Sequence, residues 1–363
     1  MSGLKILHSA DWHIGSVFEA LPPEKARHMR ALLRAVPERI AATANERGAD
    51  LVLLAGDLFD SPRPSRESRE AVVSALSACR APVFIAPGNH DPMAPGSAWD
   101  GIVLPDNVYI FKNNCIERVE LPFANVYGAA FTEPYSRAML TGFCAPPDGK
   151  PNILVMHGEL SPSSRYCPVS EREIAASGMD YIALGHTHRP SGLRRAGNVW
   201  YSWPGCPMGR GFDECGPRGV GFVTLAGGEC GYEFIETAPL RYETVEVDAL
   251  PDAASALRAA VENTREGGIC RFVLRGESAS AVPESAFRAM AESRGLFAAE
   301  LRDETVPPRG EAAPDTLRGC FLSLAREQLA AASTEEERLR ISRAVRWGEA
   351  ALFGDDEPWE VRG

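Results

Sequence analysis

Five short motifs constrain this chain more than any other feature. They are Asp11-Trp-His13, Gly56-Asp57-Leu-Phe-Asp60, Gly88-Asn89-His90-Asp91, His157-Gly158-Glu159 and Gly185-His186-Thr-His188. Each directly follows a predicted strand: Leu4–Ala10, Leu51–Ala55, Val83–Ala86, Ile153–Met156 and Tyr181–Leu184. Short apolar runs such as LVLLA read as strands covered on both faces. In layered α/β folds, the edge where such strands give way to loops is where sites are built. Five of the seven histidines fall in these motifs, and only His8 and His28 lie outside them. Random placement would not concentrate them in this way.

The residue types suit one kind of chemistry. Carboxylate, imidazole and amide oxygen are ligands for divalent ions such as manganese. Residues i and i+2 point to the same side of an extended segment, so Asp11 with His13, and His186 with His188, can each face one cluster. An aspartate such as Asp57 can bridge two ions with its two oxygens. Two ions about 3.5–4 Å apart can polarise a phosphoryl oxygen, generate hydroxide and steady an in-line displacement. Glycines 56, 88, 158 and 185 permit tight strand-to-loop turns beside the metals. Taken singly the motifs say less. Asp-x-His is common by chance, Gly-Asp is a common turn, and a lone strand-end histidine is more often structural. Gly-Asn-His-Asp and Gly-His-Thr-His are more specific, and the ordered set of five points to a two-metal phosphoesterase site.

Around these motifs the chain reads as stacked β and α layers. Glu24–Arg47 and Ser68–Cys79 are predicted helices, and the stretch from Val199 to Val247 is β-rich. A small α/β module follows, with strands Thr244–Val247, Cys270–Leu274 and Phe297–Leu301 alternating with helices Ala253–Asn263 and Glu284–Glu292. The predicted organisation is a main domain over 1–240, a small α/β cap over 241–306, a linker over 307–314 and C-terminal helices over 315–363. In the last piece, Leu317, Cys320, Phe321 and Leu324 mark one stripe, and Ile341, Val345 and Leu352 another. Thr334 and Glu337 form a predicted capping box.

Composition excludes several classes. No apolar run approaches the ~20 residues of a membrane span, and the opening has no signal-peptide core. The nine cysteines are scattered without a CxxC pair, which reads as reduced thiols in a cytoplasmic protein. The net charge of −11 argues against nucleic-acid binding by bulk electrostatics. Any such contact must be local, through metal ions and a few placed arginines.

The motif set resembles the calcineurin-like metallophosphoesterase superfamily. Within it, the opening LKILHSADWHIG, the GDLFD form of the second motif and the loop Tyr201–Glu214 resemble bacterial DNA repair exonucleases of the SbcD and YhaO types. The loop departs from the pattern in reading Ser-Trp-Pro-Gly where a shorter Tyr-Pro-Gly is expected. The resemblance implies a four-layer α/β/β/α sandwich with a small α/β capping domain and C-terminal helices. It implies one metal held by Asp11, His13, Asp57 and His188, and a second held by Asp57, Asn89, His157 and His186. It also implies a hydroxide held by the metals as nucleophile, and His90 as transition-state stabiliser or general acid, oriented by Asp91. The ions expected are two divalent cations, manganese first, with magnesium, iron or zinc as substitutes. Implied partners are double-stranded DNA ends, a second copy in a homodimer, and an SMC-like coiled-coil ATPase gripping the C-terminal helices. Arg189, Arg194, Arg195 and Arg210 are candidates for meeting DNA phosphates. Asp60 stands where some relatives carry a histidine, so no second catalytic histidine is assigned there. The same metals would equally serve a small-molecule phosphodiesterase or a phosphoprotein phosphatase.

Overall fold

The computed structural model describes residues 3–250, 252–278, 280–306 and 316–353. The first part comprises β1 (Leu4–Ser9), α1 (Pro23–Arg47), β2 (Leu51–Leu54), α2 (Arg66–Ala78), β3 (Val83–Ile85) and β4 (Val108–Ile110). Then come β5 (Glu117–Glu120), β6 (Asn125–Gly128), β7 (Asn152–His157), α3 (Glu171–Ala176) and β8 (Tyr181–Gly185). Strands β9 (Arg194–Ala196), β10 (Val199–Ser202), β11 (Gly219–Ala226), β12 (Glu229–Glu236) and β13 (Tyr242–Asp248) follow. The remainder is α4 (Ala253–Glu262), β14 (Ile269–Glu277), α5 (Glu284–Arg294), β15 (Ala298–Val306), α6 (Leu317–Ala331) and α7 (Glu335–Phe353).

Two six-stranded sheets form the centre, in the orders β12-β11-β1-β2-β3-β4 and β5-β6-β7-β8-β10-β9. Strand alternation explains how they stack. Ile6, Leu51, Leu53 and Phe84 of the first sheet share one core with Val126, Ile153, Val155 and Tyr181 of the second. Their neighbours Leu7, Val52, Leu54, Val83 and Ile85 face the other way, onto Met29, Leu33, Val36 and Ile40 of α1 and Val72 and Leu76 of α2. On the far side, Leu154, Met156, Ile182 and Leu184 meet Ile174 of α3. The layers therefore run α/β/β/α. Each central strand is buried on both faces, which is why it reads as an unbroken apolar run.

The chain divides into two compact units. One is Met1–Val247 with Leu257–Val273 and Pro283–Arg302, and the other is Asp248–Ala256 with Leu274–Val282 and Asp303–Gly363. That division cuts through α4, β14 and β15. The third sheet has the order β13-β14-β15. The expected linker at 307–314 and the end of the chain from 354 lie outside the described residues. Among the described residues, no helix is long and apolar enough to cross a membrane.

Local signals held to different degrees. Helix α2 starts two residues earlier than its apolar pattern suggests, because the Ser65 hydroxyl accepts the Ser68 N–H at 3.2 Å and caps the first turn. Thr334 accepts the Glu337 N–H at 3.2 Å as expected, but the Glu337 carboxylate accepts from Ser333, not from Thr334. The full reciprocal box forms instead between Ser170 and Glu173 at the start of α3.

One buried polar chain crosses the inter-sheet core. His8 Nδ1 lies 2.8 Å from the Tyr181 hydroxyl, which lies 2.7 Å from Ser202 Oγ. These residues come from β1, β8 and β10, so the chain links the two sheets. Burial lowers the His8 pKa to about 3, against a backbone hydrogen bond at Leu184 that works the other way. The unfolded chain protonates His8 below its ordinary pKa of about 6.5, and the folded chain does not. Stability from this group is therefore full above about pH 6.5 and falls as pH drops toward 3. Between about pH 6.5 and 5, the loss expected is about 2 kcal/mol. Urea unfolding of chelator-treated protein across that range checks this, and His8→Asn should flatten the pH slope by that amount.

Candidate metal centre

The five motifs sit at the C-terminal ends of β1, β2, β3, β7 and β8 and are fastened to one another by backbone bonds. The Asp11 N–H donates to the Gly56 carbonyl and the His13 N–H to the Asp57 carbonyl, each at 3.0 Å. The His186 N–H donates to Asp11 Oδ1 at 3.0 Å, and the His90 N–H to Asp57 Oδ1 at 2.8 Å. Asp11, His13, Asp57 and His186 all adopt left-handed backbone conformations, with φ of 55°, 47°, 52° and 88°. That region is uncommon for residues with a Cβ, and each such residue costs about 1–3 kcal/mol. Four of them at one site mark a geometry held for function. Gly185 and Gly88 are needed for the close approach, since a Cβ would overlap the Ala55 carbonyl at 185 and the Asp57 carboxylate at 88.

Two groups of donors converge, and a third, His13, Asp57 and His90, overlaps both. Asp11, His13 and His188 form one, and Asp57, His157 and His186 the other, each with its ligand atoms within 4.8 Å of one another. Asn89 Oδ1 joins the second group, 3.0 Å from His157 Nε2 and 3.2 Å from His186 Nδ1. Asp57 Oδ2 lies between the groups, 3.8 Å from His13 Nε2 and 3.4 Å from His157 Nε2. A carboxylate so placed can serve two ions.

The outer ring nitrogens test whether a cation fits. His13 Nδ1 lies 3.1 Å from Asp60 Oδ1, His188 Nδ1 2.7 Å from Glu214 Oε1, and His157 Nδ1 2.8 Å from the Ala55 carbonyl. These three partners are acceptors, and at His188 the carboxylate at 2.7 Å is nearer than the Arg210 Nη2 donor at 3.0 Å, so Nδ1 carries the proton and Nε2 turns a lone pair inward, as metal-ligating imidazoles do. His13 Nε2 and His188 Nε2 then face each other at 3.1 Å. Two lone pairs at that separation repel unless a cation draws them together. The donor set fits divalent metal ions.

The electrostatics make the same demand. Burial works against the Asp57 carboxylate, yet the His157, His13 and His90 rings hold it far below the ordinary carboxylate range. Burial raises Asp11. Burial also works to lower His157, but Asp57 and Asp11 drive it up to about 9. Burial and the neighbouring His157 push His186 down to about 3. Two buried carboxylates thus call for positive charge in the cluster.

The seven expected ligands are brought together, but other assignments need correction. Asp91 does not reach the His90 ring. Its buried carboxylate accepts the backbone N–H groups of Gly88 at 2.8 Å, Leu58 at 2.8 Å and Asp57 at 3.1 Å, tying the second motif to the third. Burial, reinforced by the charge on Asp57, raises the Asp91 pKa to about 7. The His90 ring is held instead by the Asp60 carbonyl, 2.9 Å from Nδ1, and stands edge-on to His13 with centroids 4.8 Å apart. Arg210 is not a free surface arginine, because it pairs with Asp60 at 3.1 Å and Glu214 at 2.8 Å. Arg189, Arg194 and Arg195 are exposed, and the Arg195 guanidinium lies 4.7 Å over the Trp200 ring.

Residues that the motif reading does not single out complete the site. Trp203, from the departing Ser-Trp-Pro-Gly segment, is buried and donates its indole N–H to the carbonyls of Gly158 at 2.9 Å and Gly185 at 3.1 Å. It fastens together the strand ends that carry His157 and His186. Trp12 is core, with its indole N–H on Ser9 Oγ at 2.8 Å. The Tyr166 ring lies 4.8 Å from the His186 ring. Asp60 stands in the second motif and Glu214 closes the loop from Tyr201, but their pairing with His13 and His188 spans long sequence distances and needed the fold.

Comparison with known sequences agrees with this geometry. The sequence profile of the calcineurin-like phosphoesterase family matches residues 4–190. The chain is 31% identical over 303 residues to the uncharacterized metallophosphoesterase YhaO of Bacillus subtilis (strain 168), covering 76% of this chain and 72% of that protein. Among solved structures, TT1561 of Thermus thermophilus is similar with a TM-score of 0.39 and 14% identity, over 64% of this chain and 99% of that one. A dimetal phosphatase from Danio rerio gives a TM-score of 0.40 and 11% identity, over 65% of this chain and 100% of that one.

The position of Asp57 sets an expectation for metal content. Asp57→Ala removes the oxygen that both groups share, so bound manganese should fall from about two ions per chain to below about one. Elemental analysis of desalted protein reads this directly. A variant that keeps the wild-type content would show that Asp57 is not a shared ligand.

Proposed function

This chain belongs to the calcineurin-like phosphoesterase family, and from that premise we propose that it is a two-metal nuclease degrading DNA from its ends. Family membership implies metal-dependent hydrolysis of phosphoesters. The finer reading assigns one ion to Asp11, His13, Asp57 and His188, and the other to Asp57, Asn89, His157 and His186. Bound there, divalent cations supply Lewis acidity toward the phosphoryl group and lower the pKa of water. His90 is the proton-handling group. Its Nδ1–H donates to the Asp60 carbonyl, which leaves Nε2 as the reacting nitrogen; with the ring doubly protonated, the Nε2 proton could pass to the departing alkoxide or steady charge on phosphorus.

The observation that carries the DNA reading is an aromatic ladder beginning at the metal centre. The Tyr166 ring is tilted by 33° against His186 at 4.8 Å. Tyr135 follows 5.5 Å from Tyr166, and the Arg165 guanidinium lies 4.3 Å over Tyr135. Backbone bonds from Ser136 N–H to the Arg165 carbonyl and from Cys167 N–H to the Ser136 carbonyl, each 3.0 Å, hold the two loops together. Aromatic faces beside a phosphodiester site suit nucleobases, which stack at about 1–3 kcal/mol each whatever the sequence. A phosphoprotein or a simple phosphomonoester has no use for them. The net charge of −11 favours the alternative, a small-molecule phosphodiesterase.

Partners belong to the same proposal. Helices α6 and α7 expose Leu317, Leu324, Leu339 and Trp347, an apolar set suited to a coiled-coil ATPase. A homodimer is proposed with it.

Linear double-stranded DNA, a cyclic dinucleotide and a phosphopeptide should be compared with manganese present. Degradation of the DNA is expected, reduced about 10²–10⁴-fold in His90→Asn with bound manganese retained. Tyr135→Ala should raise KM for DNA and leave hydrolysis of a small chromogenic phosphodiester unchanged. Ready cleavage of the cyclic dinucleotide or phosphopeptide, with DNA ends untouched even beside a coiled-coil ATPase, would overturn the proposal.

A further inference from the structure

Five side chains close a ring at the metal centre. Asp60 Oδ1 accepts from His13 Nδ1 and from Arg210 Nη1, both at 3.1 Å. Glu214 Oε1 accepts from His188 Nδ1 at 2.7 Å and from Arg210 Nη2 at 2.8 Å. Arg210 Nε also reaches Glu214 Oε2 at 3.3 Å, so the guanidinium grips that carboxylate with two donors. The ring closes where His13 Nε2 meets His188 Nε2 at 3.1 Å. Each carboxylate holds one imidazole, and one guanidinium holds both carboxylates.

The two donor groups are supported unequally. In the group of Asp11, His13 and His188, both imidazoles hang on carboxylates that Arg210 clamps. In the group of Asp57, His157 and His186, His157 rests on the Ala55 carbonyl and His186 Nε2 lies 3.6 Å from Glu159. Among the described residues, no arginine joins those two supports. The backbone beneath the first group is braced as well. Buried Arg218 donates to the Glu214 carbonyl at 3.1 Å, the Cys215 carbonyl at 2.9 Å and the His188 carbonyl. Its contacts fix the backbone that presents His188 relative to the backbone that presents Glu214.

We propose that Arg210 is a positioning residue for one ion of the pair, acting through Asp60 and Glu214 to set the rings of His13 and His188, and that it makes the two metal sites unequal in affinity. This inference rests on the two-ion reading of the site but not on DNA as the substrate. A free lysine in this place would not do the same work, because an ammonium lacks the planar fork that spans two carboxylates at once. The role also differs from a phosphate contact. The guanidinium donors are committed to Asp60 and Glu214, and Nη2 also lies 3.0 Å from His188 Nδ1, which leaves little of the group to offer a substrate.

The test is manganese binding measured by chelator competition on wild type, Arg210→Met, Arg210→Lys and Glu214→Gln, with thermal unfolding as the control for folding. Wild type should bind two ions in separable steps. Arg210→Met should weaken one step by about 10–100-fold and leave the other in place. Arg210→Lys should recover only part of that loss. Glu214→Gln keeps an acceptor for His188 but not the charge that binds Arg210, and should weaken the same step, so it serves if Arg210→Met does not fold. With a small chromogenic phosphodiester, kcat of Arg210→Met should recover at high manganese with KM unchanged. Equal weakening of both steps, or of neither, would overturn the inference. So would a raised KM for DNA with metal affinity intact, which would make Arg210 a phosphate contact. Failure of wild type to bind two ions would instead overturn the reading on which the inference stands.

Discussion

The structure is organised around Asp57, a buried carboxylate placed where the strand ends of two sheets meet. Its side chain lies between His13, which follows β1 of the first sheet, and His157, which ends β7 of the second. Its own backbone accepts from His13, and its Oδ1 accepts from the His90 N–H. A buried charge in such a place is tolerated only when it is paired. The His13, His157 and His90 rings and the His90 N–H offset it and the like-charged Asp11 and Asp91 beside it, and the sheets are stacked so that these groups come from both. The left-handed backbone at Asp11, His13, Asp57 and His186 is strain accepted for that convergence.

The support of the site is layered in the same way. The inner imidazoles are aimed by Asp60, Glu214 and the Ala55 carbonyl. Those supports are held by Arg210 and by strand ends that Trp203 fastens. Asp91 holds the loops of the second and third motifs to each other through their backbone N–H groups. Its burial without a side-chain partner is explained by those donors, which take the place that a counter-ion would otherwise fill. Moving it from the role of orienting His90 to that of holding the loops leaves His90 positioned by the Asp60 carbonyl.

Much of the centre was legible in the sequence, and the reason is geometric. A strand buried on both faces needs an unbroken apolar run, and a ligand needs to stand at its end. Both demands are local, so Leu51–Leu54 followed by Gly56-Asp57 announces itself. Stacked β and α layers followed from the same runs, while the four-layer α/β/β/α order was implied by the family resemblance. Strands β4, β5 and β6 did not announce themselves, since Glu117–Glu120 alternates without strong apolar residues and Val108–Ile110 is three residues long. The pairing of His13 with Asp60 and of His188 with Glu214 was hidden for another reason. Acids are frequent, and nothing in the order of residues says which one the fold will carry beneath a given imidazole.

The fate of the arginines bears on how an acidic chain could handle a polyanion. Four were candidates for phosphate contact, and Arg210 is spent within the metal centre. The exposed Arg189, Arg194 and Arg195 cannot by themselves offset a net charge of −11. Binding that depended on many phosphate contacts would weaken steeply with salt. Recognition built on two cations and an aromatic ladder depends far less on the overall field. Under the proposed reading, ions held there would attract the scissile phosphate over a short range, and stacking on Tyr166 and Tyr135 would be indifferent to base identity. Under the proposed nuclease reading, such a site would suit a strand end more than the middle of a duplex, where the bases are already stacked on one another.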